Sequence, residues 1–231
     1  MTKNLFTSAL FAGVTAGLVA ALLQFWLVIP LLMEGELYEA GVRTHFSVGQ
    51  DMPVQSPSGP AESLDQDPGR HLMTLGFNVI SFTAFALILV AGMAFAERSG
   101  HSITPRQGIV WGLCGFVAMH LAPAIGLPPE LPGTIAADVE LRQFWFLATV
   151  AASAIGIGLI AFGKGLLYSA IGIVVLAAPH VIGAPQLDTY LGIAPPELAS
   201  LFVTHSLAVA AIGWVTLGVT AAYFWTRGRE V

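Results

Sequence analysis

The sequence predicts an all-α integral membrane protein with about six transmembrane helices, in a single polytopic domain over residues 1–231. Two features of the composition favour this class: 55% of the residues are hydrophobic, and only 10% are charged. Water-soluble domains carry about 25% charged residues, so a chain with this few cannot form a water-soluble surface and is expected to lie in a membrane. The third observation is the length of the apolar runs, because a helix needs about 20 residues to cross a bilayer.

The first apolar run, residues 5–33, follows Lys3 and contains no charged residue. It is too long for the core of a signal peptide and has no small-residue cleavage site before Glu34, so we expect it to remain as the first transmembrane helix. Residues 34–71 then form one long acidic loop, whose prolines, glycines and serines give no helical or strand period. This loop is either a solvated linker or a collector of cations at a pore mouth.

The other five spans are predicted at residues 72–96, 108–126, 144–162, 165–184 and 201–225. In the second of the six spans, Asn78 and Ser81 share one helix face because they are three residues apart. Such polar side chains either bond a neighbouring helix or line a path through the bundle. The chain has no P-loop and no Ser/His/Asp arrangement, which favours a protein that is not an enzyme. Nothing in its charge favours nucleic acid as a partner.

Two odd-numbered spans end in a similar motif. His120 precedes Pro123 and a Leu-Pro-Pro-Glu-Leu run at 127–131, while Pro179 and His180 precede Pro-Pro-Glu-Leu at 195–198. The first span also ends near a proline and several glutamates, so the chain can be read as three hairpin-like repeats. Pro123 and Pro179 are expected to mark corresponding helix ends, where they free backbone carbonyls.

Basic residues favour the cytoplasmic side of a membrane and thus predict the orientation. With both termini in the cytoplasm, six basic residues lie inside and three outside. The inner group is Lys3, Arg98, Arg106, Lys164, Arg227 and Arg229, and the outer group is Arg43, Arg70 and Arg142. The same orientation places twelve of the fourteen acids outside. The acids on the outer face either attract cations or have no function and accumulate there because nothing excludes them.

This orientation puts His120, His180 and His205 at one depth, near the outer ends of their spans. Imidazole binds divalent cobalt, nickel, zinc and iron, and the carboxylates of Glu130 and Glu197 add attraction by charge. An incomplete ligand set suits an ion that must be released again. We therefore predict that the three histidines surround one outer cavity, with Glu130 or Glu197 at its rim, and that a divalent transition-metal ion passes through it. No tightly bound cofactor is expected.

Two other functions stay open at this point. Two of these histidines could ligate haem if they face each other across an apolar pocket, which would make the chain a membrane redox or assembly subunit. The small residues that recur along the first span would equally suit a structural subunit that transports nothing.

Four stretches of the sequence, at 112–116, 121–133, 137–145 and 178–185, resemble the CbtA family of predicted cobalt transporter subunits. The similarity extends from residues 30–38 to the last span, and its central run, Ala-Pro-Ala-Ile-Gly-Leu-Pro-Pro-Glu-Leu-Pro-Gly at 122–133, is long enough to be specific. The resemblance implies a multi-pass subunit of the cell inner membrane, linked to cobalamin supply.

The resemblance also implies a partner, a small single-span and histidine-bearing protein of the CbtB type. Apart from membrane lipid, a second copy of the chain is a further partner left open. Many members of the family carry a His-Glu-His cluster in the first outer loop. The loop of this chain has only His45 and His71, which are far apart in sequence.

Overall fold

The computed structural model describes residues 2–45, 68–189 and 192–228, and within these ranges all the regular structure is helical. The all-α prediction is confirmed. In chain order the helices are α1 (Thr2–Leu27), α2 (Ile29–Glu39), α3 (Pro68–Arg98), α4 (Gln107–Phe116), a π-helical turn (Val117–Leu121), α5 (Ala122–Gly126), α6 (Val139–Phe162), α7 (Leu166–Ile182) and α8 (Pro196–Arg227).

Five of these helical stretches are long and apolar enough to cross a membrane: α1, α3, the continuous run Gln107–Gly126, α6 and α8. The sixth, α7, is apolar but has only 17 residues. At a rise of about 1.5 Å per residue it is about 25 Å long, slightly short of a hydrocarbon core about 30 Å thick. Local thinning of the bilayer accommodates such a difference at small cost.

The start of α1 and the end of α8 lie at the same end of the bundle. The side-chain amide of Asn4 donates to the backbone carbonyl of Trp225 at 3.2 Å, and the indole of Trp225 donates to Glu97 at 3.1 Å. His101, in the turn after α3, packs edge-on against Phe162 at the end of α6. The described chain therefore enters and leaves the bundle at the same end, as an even number of crossings requires.

The opposite end carries the three longer connections. Arg70 forms an ion pair with Glu36 at 2.6 Å, which ties the start of α3 to α2. The side chain of Gln186 donates to the carbonyl of Gly126 at 2.7 Å, so the segment after α7 lies against the end of α5. This is the end that the sequence assigns to the outside.

Small residues allow the central helices to approach closely. The buried face of α1 consists of alanine, glycine and serine, and Gly13 and Gly17 lie against the backbone of Thr83 and Val79 in α3. Glycines also meet where α4 crosses α8. Lipid tails offer no hydrophobic drive for helices to associate, so close backbone packing of this kind stabilises the bundle. The pair α6 and α7 lies beside this core and packs on itself through Gly156 and Gly172.

The first predicted span differs from the structure at its end. Residues 5–33 are not one helix, because α1 ends at Leu27 and a separate helix, α2, carries the chain on to Glu39. Pro30 explains the break: it has no N–H to bond the preceding turn, and it is tolerated in the first turn of a new helix. The acidic segment is therefore shorter than 34–71, since α3 already begins at Pro68. Its middle, residues 46–67, lies outside the described residues.

Pro123 and Pro179 occupy corresponding places, as predicted. Each lies in the last turn of its helix and accepts the closing hydrogen bond, from the N–H of Leu127 at 2.8 Å and of Gly183 at 3.0 Å. The two helix ends also lie side by side, because Gly126 packs against Ala184. They thus end at a similar level of the bundle.

Candidate functional site

The three histidines of the predicted shared site do not surround one cavity. His120 bonds Trp214 of α8, His180 packs on Trp145 of α6, and His205 bonds the end of α1. Within the described ranges, no group of three or more His, Cys, Asp or Glu side chains is arranged to hold a metal ion. The shared-site geometry is therefore wrong, because each of the three rings has its partner on a different helix. Sequence spacing could not give the direction of each ring.

His120 lies in the π-helical turn directly before Pro123. A proline ring clashes with the carbonyl four residues earlier in a regular α-helix, and a wider turn relieves the clash. The N–H of Ala122 accordingly bonds the carbonyl of Val117, five residues back. The turn directs His120 at α8, where the indole N–H of Trp214 donates to its Nδ1 at 3.0 Å. Rings of Phe85 and Phe116 complete its surroundings.

His120 also lines a groove of about 1030 Å³ between α1 and α3. The polar residues of the groove are Gln24, Thr74, Asn78, Ser81 and His120. The amide of Asn78, which is only 6% exposed, donates to the side-chain oxygen of Gln24 at 2.8 Å. Asn78 therefore joins two helices and lines the same groove as His120. That it lines a transport path stays a prediction.

Gln24 is a site residue that sequence reasoning missed. It is the single polar residue between Thr15 and Glu34, and an amide in so long an apolar run is costly unless it finds a partner. That signal was available without a structure.

His205 has a different kind of partner. Its Nδ1 lies 2.9 Å from the backbone carbonyl of Leu27, the last residue of α1. The last carbonyls of a helix have no partner within the helix, so the break between α1 and α2 provides this acceptor. The proline-induced break therefore positions His205.

His180 lies in the last turn of α7, edge-on to Trp145 at 5.9 Å between ring centroids. The indole of Trp145 donates to the carbonyl of Pro179 at 3.1 Å, which fixes the two helices to each other at this level. The Nε2 of His180 is buried, and within the described residues it has no hydrogen-bond partner. A buried unpaired nitrogen is costly, so this atom has capacity for a water or an ion.

Glu130 lies at the end that the sequence assigns to the outside, in a pocket of about 670 Å³. It is paired with Arg142 at 2.6 Å, and His45 lines the same pocket. Glu197 lies in the first turn of α8, next to Pro196, which is another lining residue. That these acids stand at an outer opening stays a prediction, and His120, His180 and His205 are not among the residues that line this pocket.

Each arginine that the sequence assigns to the outer side is paired with a glutamate. The pairs are Arg43 with Glu34, Arg70 with Glu36, and Arg142 with Glu130. A cation that approaches one of these three carboxylates therefore competes with a guanidinium group already bound to it. Glu140 and Glu197 are exposed side chains on the same side.

Long apolar helices, close glycine contacts and polar groups gathered inside the bundle define a multi-pass membrane protein. Residues 2–226 match the family model of CbtA, described as a probable cobalt transporter subunit, and the chain belongs to this family. The suspected resemblance is confirmed. No curated protein matches the chain, and no solved structure does. The family description identifies the chain as part of a transport system, which points away from an enzyme.

Proposed function

We propose that the protein is a subunit of a cytoplasmic-membrane transporter that moves Co²⁺ into the cell. The observation that carries this proposal is the family match, which covers residues 2–226 of the 231. Polar groups within the bundle, His120 and Asn78 among them, are consistent with transport, because polar and ionisable side chains inside a membrane can line a path as well as join helices. No resident cofactor is needed for this activity.

The structure favours successive weak contacts over one closed site. The ion would meet Glu130 and Glu197 at the outer opening and then exchange water for single histidine ligands, His205 or His180. A transported ion must be bound weakly enough to leave each position. Separate ligands at one level meet this requirement better than a four-ligand cage, which would hold the ion as structural zinc is held.

The word subunit in the family description implies a partner. We propose a small single-span protein that supplies further histidines, as the resemblance to the family suggests. It would complete a ligand set that the described part of this chain does not assemble by itself.

Uptake of cobalt, nickel and zinc should be measured in cells that lack the protein and in cells that carry it, with the partner co-expressed. We expect cobalt accumulation to rise severalfold and zinc accumulation to stay unchanged. A chain with His120, His180 and His205 all replaced by alanine, and equally abundant in the membrane, is the matched control. Equal cobalt uptake with and without the protein, despite normal abundance, would show that it does not transport this ion.

A further inference from the structure

We propose that hydrogen bonds preset opposite tautomers in His120 and His205. His205 is thereby ready to bind a divalent cation, whereas Trp214 holds His120 in a form that cannot bind one. The identity of the cation rests on the proposed function, but the assignment of the tautomers does not. Trp214 is on this view a positioning residue, because it acts on the ion only through His120.

The assignment for His205 follows from its acceptor. A backbone carbonyl can only accept a hydrogen bond, so the Nδ1 that lies 2.9 Å from the oxygen of Leu27 must carry the hydrogen. In the neutral ring, Nε2 then has a free lone pair. Metal-binding histidines usually show this arrangement, with one ring N–H donated to a carbonyl or carboxylate and the other nitrogen on the metal.

The assignment for His120 is the reverse. An indole N–H can only donate, so the Nδ1 that receives the bond from Trp214 at 3.0 Å must be unprotonated. In the neutral ring, Nε2 then carries the hydrogen. A cation has no free lone pair here: Nδ1 is occupied by the indole, and Nε2 would first have to lose its proton.

Trp214 has little room to release this bond. It is only 3% exposed, and Gly112 and Gly115 of α4 lie directly against it. Gly112 lies against the backbone of Trp214, and the absence of a side chain at Gly115 allows the indole ring to pack against α4. Phe85 stacks on the indole from the α3 side, with 5.0 Å between ring centroids. His120 therefore presents an N–H donor among the amides of the groove, which suits water or an amide oxygen.

The first test uses the purified, metal-free protein in detergent. Nitrogen-15 NMR of labelled histidine distinguishes protonated from unprotonated ring nitrogens, and His120→Gln and His205→Gln assign the signals. We expect His205 to carry its hydrogen on Nδ1 and His120 on Nε2. Trp214→Phe should convert His120 to a mixture of tautomers. Trp225→Phe, another buried indole on α8, should leave both unchanged. A wild-type spectrum with the opposite tautomer at either ring overturns the proposal, even if Trp214→Phe does not fold.

The second test titrates the same protein with Co²⁺ alone. His205→Ala should weaken binding by about tenfold or more, a usual result of disturbing a metal site, while His120→Ala should leave it unchanged. Trp214→Phe should tighten binding, and adding His120→Ala to it should abolish that gain. Equal losses in the two single histidine variants would refute the assignment of roles. Correct tautomers and a His205-dependent affinity together with no uptake in cells would instead count against the proposed function.

Discussion

Glu130 forms an ion pair with Arg142. Glu130 and Arg142 are both partly exposed, and such a pair contributes about 0–1 kcal/mol to stability. Its loss should therefore matter little for folding. Glu130 lines the pocket at the end that the sequence assigns to the outside, where the Arg142 guanidinium competes with any cation that approaches the carboxylate.

Glu130→Gln should lower the initial rate of cobalt uptake severalfold at low cobalt, with little change in thermal stability. The physical reason is that the variant removes a carboxylate from the pocket wall and keeps the side-chain shape. Glu140→Gln is the matched control, because it removes the same charge from an exposed position on the same side. If the two variants lose uptake equally, only the diffuse charge of the outer face matters.

Helix pairs in this protein depend on glycine at the points where backbones meet. A Cβ added at Gly218 in α8 would lie 2.5 Å from the backbone nitrogen of Gly112 in α4, and backbone cannot move aside as a flexible side chain can. The α4–α8 crossing also places Trp214 beside the π-helical turn. Packing between these two helices thus decides the geometry around His120.

Gly218→Val should separate α4 from α8 and destabilise the protein by about 1–3 kcal/mol, the usual cost of overpacking. Gly158→Val in α6 is the control, since no atom lies within 4 Å of its added Cβ. Thermal unfolding of both variants in detergent, followed by gel filtration, measures the difference. Equal melting temperatures would contradict the close contact between α4 and α8.

Across the whole molecule, the bundle has two unlike ends. Both termini and the short connections lie at one end, and the three arginine–glutamate pairs lie at the other. The contacts fix which segments share an end. The basic residues, more numerous at the end with the termini, predict that this end faces the cytoplasm.

Labelling of single cysteines tests this orientation in a Cys114→Ala background. Ser58→Cys, in the long acidic segment, should react with an impermeant maleimide in intact cells. Ser102→Cys, exposed in the turn between α3 and α4 at the end with the termini, should react only after permeabilisation. The reverse labelling pattern would show that the protein has the opposite orientation in the membrane.

The sequence by itself determined the class, the approximate spans and the paired proline ends. Apolar runs of membrane length and prolines near helix ends are local features, and their effects on the backbone do not depend on distant residues. The helix break near Pro30 could also have been predicted from the proline. It was missed because residues 5–33 contain no charge and were read as one continuous helix. That His120, His180 and His205 lie at one level stays a prediction from counting along the spans.

Only the tertiary structure decided where those side chains point. The π-helical turn rotates His120 toward Trp214, the end of α1 offers a carbonyl to His205, and Trp145 covers one side of His180. Each partner is distant in sequence, so no local pattern could reveal it. A ring direction depends on helix rotation and on the neighbouring helix, and both are set when glycine contacts bring particular faces together. For this reason the sequence predicted one shared site, and the fold shows three separate contacts.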